Sequence, residues 1–109
     1  MARQKIKQEN AKDGQHPVVY ILASSRNGTL YVGVSSNLIA RLLQHRNHEV
    51  AGFTSKYNVI KLVYYEFYAS MPEAIIREKR LKKWNRNWKI KLIEKDNPDW
   101  IDLWDKIRS

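Results

Sequence analysis

The 109-residue sequence contains no cysteine. That excludes disulfide staples and thiolate metal centres, and it suits a cytoplasmic setting. No apolar run approaches the ~20 residues of a membrane-crossing helix, and the N-terminus carries no signal-peptide core, so no membrane partner is expected. Internal repeats and low-complexity segments are also missing. Acids are scarce, with 11 Asp and Glu against 20 Lys and Arg, for a net charge of +9. Such a surface attracts polyanions, of which nucleic acid is the commonest.

What is present is enough for one folded domain with a modest core, since 43% of the residues are hydrophobic. The positive charge is concentrated. Between Arg77 and Lys91 stand Arg77, Lys79, Arg80, Lys82, Lys83, Arg86, Lys89 and Lys91, against the single acid Glu78. A solvated helix face explains many such runs. The single sign and the interleaved Trp84 and Trp88 favour phosphate contact here.

Met1 to about Gln15 is polar, basic and without periodicity, and reads as a mobile tail ahead of a single domain over 16–109. Val18–Ala23 is a short apolar, β-branched run, hence a buried strand. Asn27-Gly28 is a favoured hairpin pair, and Leu30–Val34 is the returning strand. Ser36 or Asn37 can cap a helix on which Leu38, Ile39, Leu42 and Leu43 share an apolar arc. His48–Asn58 reads as a connection, and Lys61–Tyr68 as a third strand. Ser70 and Glu73 form a capping box around Pro72 for a helix running to about Trp84. A helical stretch follows over Trp88–Glu94, and Asn97-Pro98 opens a last helix with Trp100, Leu103, Trp104 and Ile107 at i, i+3, i+4, i+7. The order β-β-α-β-α-α implies an α+β fold (α/β in the broad sense): a small three-stranded, mainly antiparallel sheet flanked by helices.

Five side chains carry candidate chemistry. A strict two-residue loop at Asn27-Gly28 would displace Tyr20 from Tyr31 by four residues, roughly 13 Å along the strand. A loop centred between Ser25 and Arg26 would set them face to face. Both registers put the two phenols on one face of the hairpin. Arg41 and His45, four apart, stack on one flank of the next helix, at the edge of its apolar arc. Glu78 falls on the apolar side of its helix, beside Ala74, Leu81 and Ile75, where an acid needs a cation. Packing tyrosines, a solvated Arg-His pair and a structural ion pair to Arg77 or Lys82 remain the plain alternatives.

Taken in order, these residues resemble the GIY-YIG nuclease superfamily, in particular its small stand-alone bacterial subfamily. Val18-Val19-Tyr20 stands at the first tripeptide and Tyr31-Val32-Gly33 at the second. Arg41, then His45, and Glu78 on a later helix match the remaining signature positions. The strings TSKY (Thr54–Tyr57), LVYYE and REKRLKKW (Arg77–Trp84) extend the likeness over about Pro17–Trp104. The residue after the second tripeptide is Val34, where repair nucleases of the family often have lysine, with Lys56 as a substitute. Ile90 stands where many members have asparagine, with Asn85 and Asn87 nearby.

The resemblance implies hydrolysis of a phosphodiester with one divalent ion, Mg²⁺ or Mn²⁺, in DNA repair or recombination. Glu78 would hold the metal through one carboxylate plus waters. Arg41 would grip phosphate oxygens and stabilise transition-state charge. Tyr20 and Tyr31 would orient or deprotonate the attacking water, with Arg41 and the metal lowering the phenol pKa. His45 would shuttle that proton or bind the phosphate. Lys56, Tyr57, Arg77, Lys82, Lys83 and Arg86 are the further nucleic-acid contacts expected. With no added binding domain in these 109 residues, DNA would be recognised through its backbone or structure, with low sequence specificity. The other reading is a nucleic-acid-binding module with an inactive site. Aromatics around Trp84 and Trp88 leave room for a homodimer.

Overall fold

The computed structural model describes residues 5–6, 16–50 and 52–108. Its strands are β1 (Lys5–Ile6), β2 (Val18–Ala23), β3 (Leu30–Ser35) and β4 (Lys61–Tyr68). They lie in the order β1-β4-β2-β3, with each neighbouring pair antiparallel. The three expected strands form the body of the sheet. The two-residue β1 adds an edge to β4 from within the expected tail, whose other residues lie outside those described. No helix among the described residues is long and apolar enough to cross a membrane.

β2 is the centre of the molecule because all six of its residues are apolar enough to be buried on both faces. Val18, Tyr20 and Leu22 point to one side, where α1 (Leu38–Arg46) and α5 (Trp104–Arg108) contribute Leu38, Leu42 and Ile107. Val19, Ile21 and Ala23 point to the other, where α3 (Met71–Lys83) and α4 (Arg86–Asp96) contribute Ala74, Leu81 and Ile93. The result is a sheet with a helical layer and a separate apolar cluster on each side, each fully buried aliphatic contributing ~1.5–3 kcal/mol.

Local chemistry sets the element ends. Asn37 caps α1, its side-chain oxygen accepting from the Ala40 amide at 3.1 Å. Ser70 caps α3 as expected, and its hydroxyl also meets the Glu73 carboxylate at 3.3 Å. Asn85 caps α4, which makes that helix longer at both ends than the Trp88–Glu94 stretch expected.

Several expectations are corrected. Tyr20 faces Gly33 and Tyr31 faces Leu22, a register between the two that the sequence left open. The loop is six residues wide: Ser24 N–H donates to the Thr29 carbonyl at 3.0 Å, and Gly28 N–H to the Ser25 carbonyl at 2.9 Å, with Asn27 at φ 57°. The connection at 48–58 contains a short helix, α2 (Phe53–Lys56). The apolar arc of α1 is completed by His45, not by Leu43, which is exposed.

The last helix begins at Trp104 and not at Asn97-Pro98. Asn97 is buried and its side chain bonds Val63 O, Ile101 O and Ile101 N–H, holding a loop open. Trp100, at φ 56°, then turns to the α3/α4 cluster while Ile107 joins the α1/α5 cluster. The stripe that looked like one helical face is divided between two cores.

Candidate active site

The site is built around the phenol of Tyr20. Its ring lies over Gly33, where an added Cβ would come within 2.5 Å of both Cζ and Oη. Gly33 therefore provides the space in which the phenol sits. Tyr31, two residues further along the same face, places its ring centroid 6.4 Å from that of Tyr20 and 5.6 Å from that of His45. The shared face deduced from the hairpin is what the structure has.

His45 reaches the same spot from α1 because it follows Leu38 and Leu42 at i+7 and i+3, on the buried stripe. Its Nε2 is 3.1 Å from the Tyr20 hydroxyl, and its Nδ1 is 3.0 Å from Oγ1 of Thr54 on α2. The imidazole is 1% exposed. Both ring nitrogens are thus engaged inside the protein, and binding a phosphate, one of its two expected roles, is closed to it. Burial, assisted by the positive charge of Arg41, pushes its pKa down from 6.5 to about 4. At neutral pH the imidazole is uncharged.

Arg41, one turn earlier on α1, is half-buried. Its Nη1 donates to Gln44 at 3.1 Å, and its positive charge acts on the Tyr20 phenol. Burial pushes the Tyr20 pKa up to about 12; the Arg41 guanidinium opposes this, while Tyr31 and the charge of Glu78 add to it. The resting pair is neutral, and positive charge brought close to the phenol favours its deprotonation.

Glu78 comes from the opposite helical layer. Its negative charge adds to the upward push on the Tyr20 pKa. The side chain is 14% exposed, and its carboxylate pairs with Lys82 at 3.2 Å, the ion pair anticipated as its plain alternative. Among the described residues no three His, Asp or Glu gather into a metal cage. One hard, half-buried carboxylate still suits a cation of the magnesium type, which keeps most of its waters and takes other oxygens from phosphate.

The expected nucleic-acid contacts divide. Lys56 and Tyr57 are exposed, with the Lys56 ammonium 5.4 Å from the Tyr57 ring centroid. Tyr57 packs on Phe53, which stacks on Tyr31 at 6.4 Å, so this surface is continuous with the site. Lys82 borders a shallow groove with Tyr31, Phe53 and Lys89, and Lys83 is exposed. Arg86 Nη2 donates to the carbonyls of Asn27 and Gly28 at 2.6 and 2.8 Å, bracing the hairpin loop.

Arg77 is a correction. Its Nε donates to Glu66 at 2.6 Å beneath α3, and its guanidinium lies 5.1 Å from the Trp84 ring centroid. A strand acid claims it, so it leaves the list of phosphate contacts. Ile90 packs against the α3/α4 cluster, and Asn85 is spent on its cap.

Two contributors were missed in the sequence. Thr54 and Phe53 are adjacent on α2 and touch His45 and Tyr31 respectively. Both flank or sit inside the TSKY string, which was the available signal.

Residues 16–91 match the family model for the GIY-YIG catalytic domain, and with that match the chain belongs to the GIY-YIG family of nucleases, whose substrates are nucleic acids. Within it, the chain is similar to small bacterial UPF0213 proteins. It is 36% identical over 76 residues to one from Staphylococcus epidermidis, covering 70% of this chain and 92% of that protein. With one from Clostridium perfringens it shares 41% identity over 75 residues, covering 69% and 80%. The solution NMR structure of a UPF0213 protein from Bacillus halodurans has the same fold, with a TM-score of 0.51 at 24% identity over 80% of this chain and 92% of that one.

Proposed function

We propose that this chain is a divalent-metal-dependent endonuclease that hydrolyses phosphodiester bonds of DNA with little sequence preference. The observation that carries the reading is the environment of one hydroxyl. Tyr20 Oη lies 3.1 Å from His45 Nε2, under the charges of Arg41 and Glu78 and on the face it shares with Tyr31. All five side chains come from one chain, so a monomer suffices for the chemistry.

Each group has a part that its surroundings allow. Arg41 spends one of its five N–H donors on Gln44, and the rest serve phosphate oxygens and the charge that builds on them. Tyr20 and Tyr31 orient the attacking water, and Tyr20 takes its proton once its own has passed to His45. Glu78 would hold Mg²⁺ or Mn²⁺, releasing Lys82 toward the phosphate backbone. When bound there, the ion would polarise the scissile phosphate and offset the charge of the leaving oxygen. Lys56, Tyr57, Lys82, Lys83 and Lys89 supply the sequence-independent grip on DNA.

The test is plasmid nicking in Mg²⁺ or Mn²⁺, comparing the native chain with Glu78→Ala. The variant is expected to keep its thermal unfolding and its salt-sensitive DNA binding while losing strand cleavage, by roughly 10³-fold or more. A folded Glu78→Ala protein that nicks as fast as the native chain ends the assignment.

A further inference from the structure

We propose that Thr54 is a positioning residue: its hydroxyl accepts the Nδ1 proton of His45 and so holds the imidazole in the tautomer whose Nε2 accepts from the Tyr20 phenol. Thr54 on α2, outside the residues that meet substrate, thus supports the tautomer that the phenol requires.

The hydrogen-bond inventory around Tyr20 leads there. The Tyr20 side chain is fully buried, and its hydroxyl lies 3.1 Å from His45 Nε2. The Arg41 guanidinium that acts on the phenol has donors only, so it offers nothing to the phenol's own proton. Among the described residues the hydroxyl's hydrogen-bond partner is Nε2, which is therefore the acceptor for that proton. Were Nε2 protonated instead, the phenol O–H would be a buried donor without a partner, which native interiors avoid. With Nε2 bare, the neutral ring carries its proton on Nδ1, and the atom 3.0 Å from Nδ1 is Thr54 Oγ1.

The backbone is arranged to deliver that oxygen. Gly52, at φ 104°, turns the chain into α2, and Val59 N–H returns to the Thr54 carbonyl at 2.9 Å. Thr54 is left 2% exposed, with its neighbour Phe53 stacked on Tyr31. A valine would match the shape of Thr54 and lack the acceptor. During turnover the Tyr20 O–H bond breaks as an Nε2–H bond forms, giving a phenolate and an imidazolium whose Nδ1–H stays on Thr54. The phenolate then takes a proton from the attacking water, and the imidazolium later returns its proton to solvent.

The tautomer part stands without the nuclease reading; the rate part rests on it. The experiment measures both on the full chain. In ¹⁵N-labelled protein, long-range ¹H–¹⁵N spectra of His45 at pH 7 are expected to show Nδ1 protonated and Nε2 bare. Thr54→Val is expected to weaken that preference, with Nε2-protonated imidazole appearing beside the native tautomer, and to lower kcat for Mg²⁺-dependent nicking roughly 10-fold with KM for DNA little changed. Thr54→Ser is expected to restore both. Native His45 protonated on Nε2 would overturn the proposal, and that spectrum needs no variant to fold. A folded Thr54→Val that keeps the native tautomer and kcat would overturn it equally. Should the native chain cut nothing, the nuclease reading fails while the spectra still decide the tautomer.

Discussion

On the α3/α4 face of the sheet, Glu66 keeps its charge in a dry interior because Tyr64, Tyr68 and Arg77 all donate to it. On the α1/α5 face, His45 is as well buried and gives its charge up. Burial alone would raise the Glu66 pKa, yet the three hydrogen bonds and the Arg77 charge outweigh it and hold the carboxyl below the usual carboxylate range. The charge that acts on His45 is that of Arg41, of the same sign as imidazolium, so it adds to the effect of burial. One network is a saturated ion pair that ties α3 to β4. The other is neutral, short of charge, and opens toward half-buried Arg41 and Tyr31. A buried network that holds two elements together has its charges matched; the neutral one suits the proton transfer proposed for it, with the missing charge supplied from outside.

The sharpest way to break the comparison is Glu66→Ala. Removing the acid strands Arg77 and two tyrosine hydroxyls beneath α3, and breaking such a pair is expected to cost 3–5 kcal/mol, read as a lower urea midpoint. The pair Glu66→Leu with Arg77→Leu is expected to recover much of that loss, because nothing charged is then left behind. A loss below about 1 kcal/mol in the single variant would mean that the ion pair does not hold α3.

pH separates the two networks on one axis. Between 6.5 and about 4 the unfolded chain takes up a proton at His45 that the folded chain refuses. Stability from this residue is therefore complete above 6.5 and lost as pH falls through about 4, amounting to about 3 kcal/mol. Glu66, whose folded pKa is depressed, makes its contribution above the ordinary carboxylate range and loses it only at lower pH. Urea midpoints from pH 7 to 4 are expected to drop in the native chain and to stay flatter in His45→Gln. Equal slopes in the two would show that His45 is not the group taking up the proton.

Much of this was legible in the sequence, and the parts that were not have physical reasons. Six consecutive apolar or aromatic residues can only be a doubly covered strand, so β2 and the sheet built on it followed from composition. The face shared by Tyr20 and Tyr31 followed from strand alternation. Their register did not, since Asn27-Gly28 suits a two-residue turn but Ser24 and Thr29 close a wider one. α2 spans four residues, too short for any periodicity to register, and Thr54 was hidden with it. His45 was readable: it continues the Leu38–Leu42 spacing, and only the expectation that histidine is polar kept it off the buried stripe. Arg77 was read with the basic run around it, whereas an acid at position 66 of a buried strand was already asking for a cation.

Gly33 joins the Tyr20–His45 face to that ordinary packing. At Gly28 a Cβ would meet Ser24 Oγ at 2.3 Å and the Ser25 amide nitrogen at 2.9 Å, in a loop remote from the phenols. At Gly33 it would meet the end of the Tyr20 ring at 2.5 Å, and that ring cannot swing away without leaving His45. Alanine at either position is expected to cost 1–3 kcal/mol of stability, as overpacking does. The two should differ in function: Gly28→Ala retains its nicking rate in folded protein, whereas Gly33→Ala displaces the hydroxyl and loses rate at least 10-fold, since a misplacement near 1 Å is enough. The His45 spectrum supplies the cause, because in Gly33→Ala the imidazole loses its phenol partner and in Gly28→Ala it does not. If both alanine variants keep full activity, the phenol need not sit where the glycine puts it, and the catalytic part given to Tyr20 fails with it.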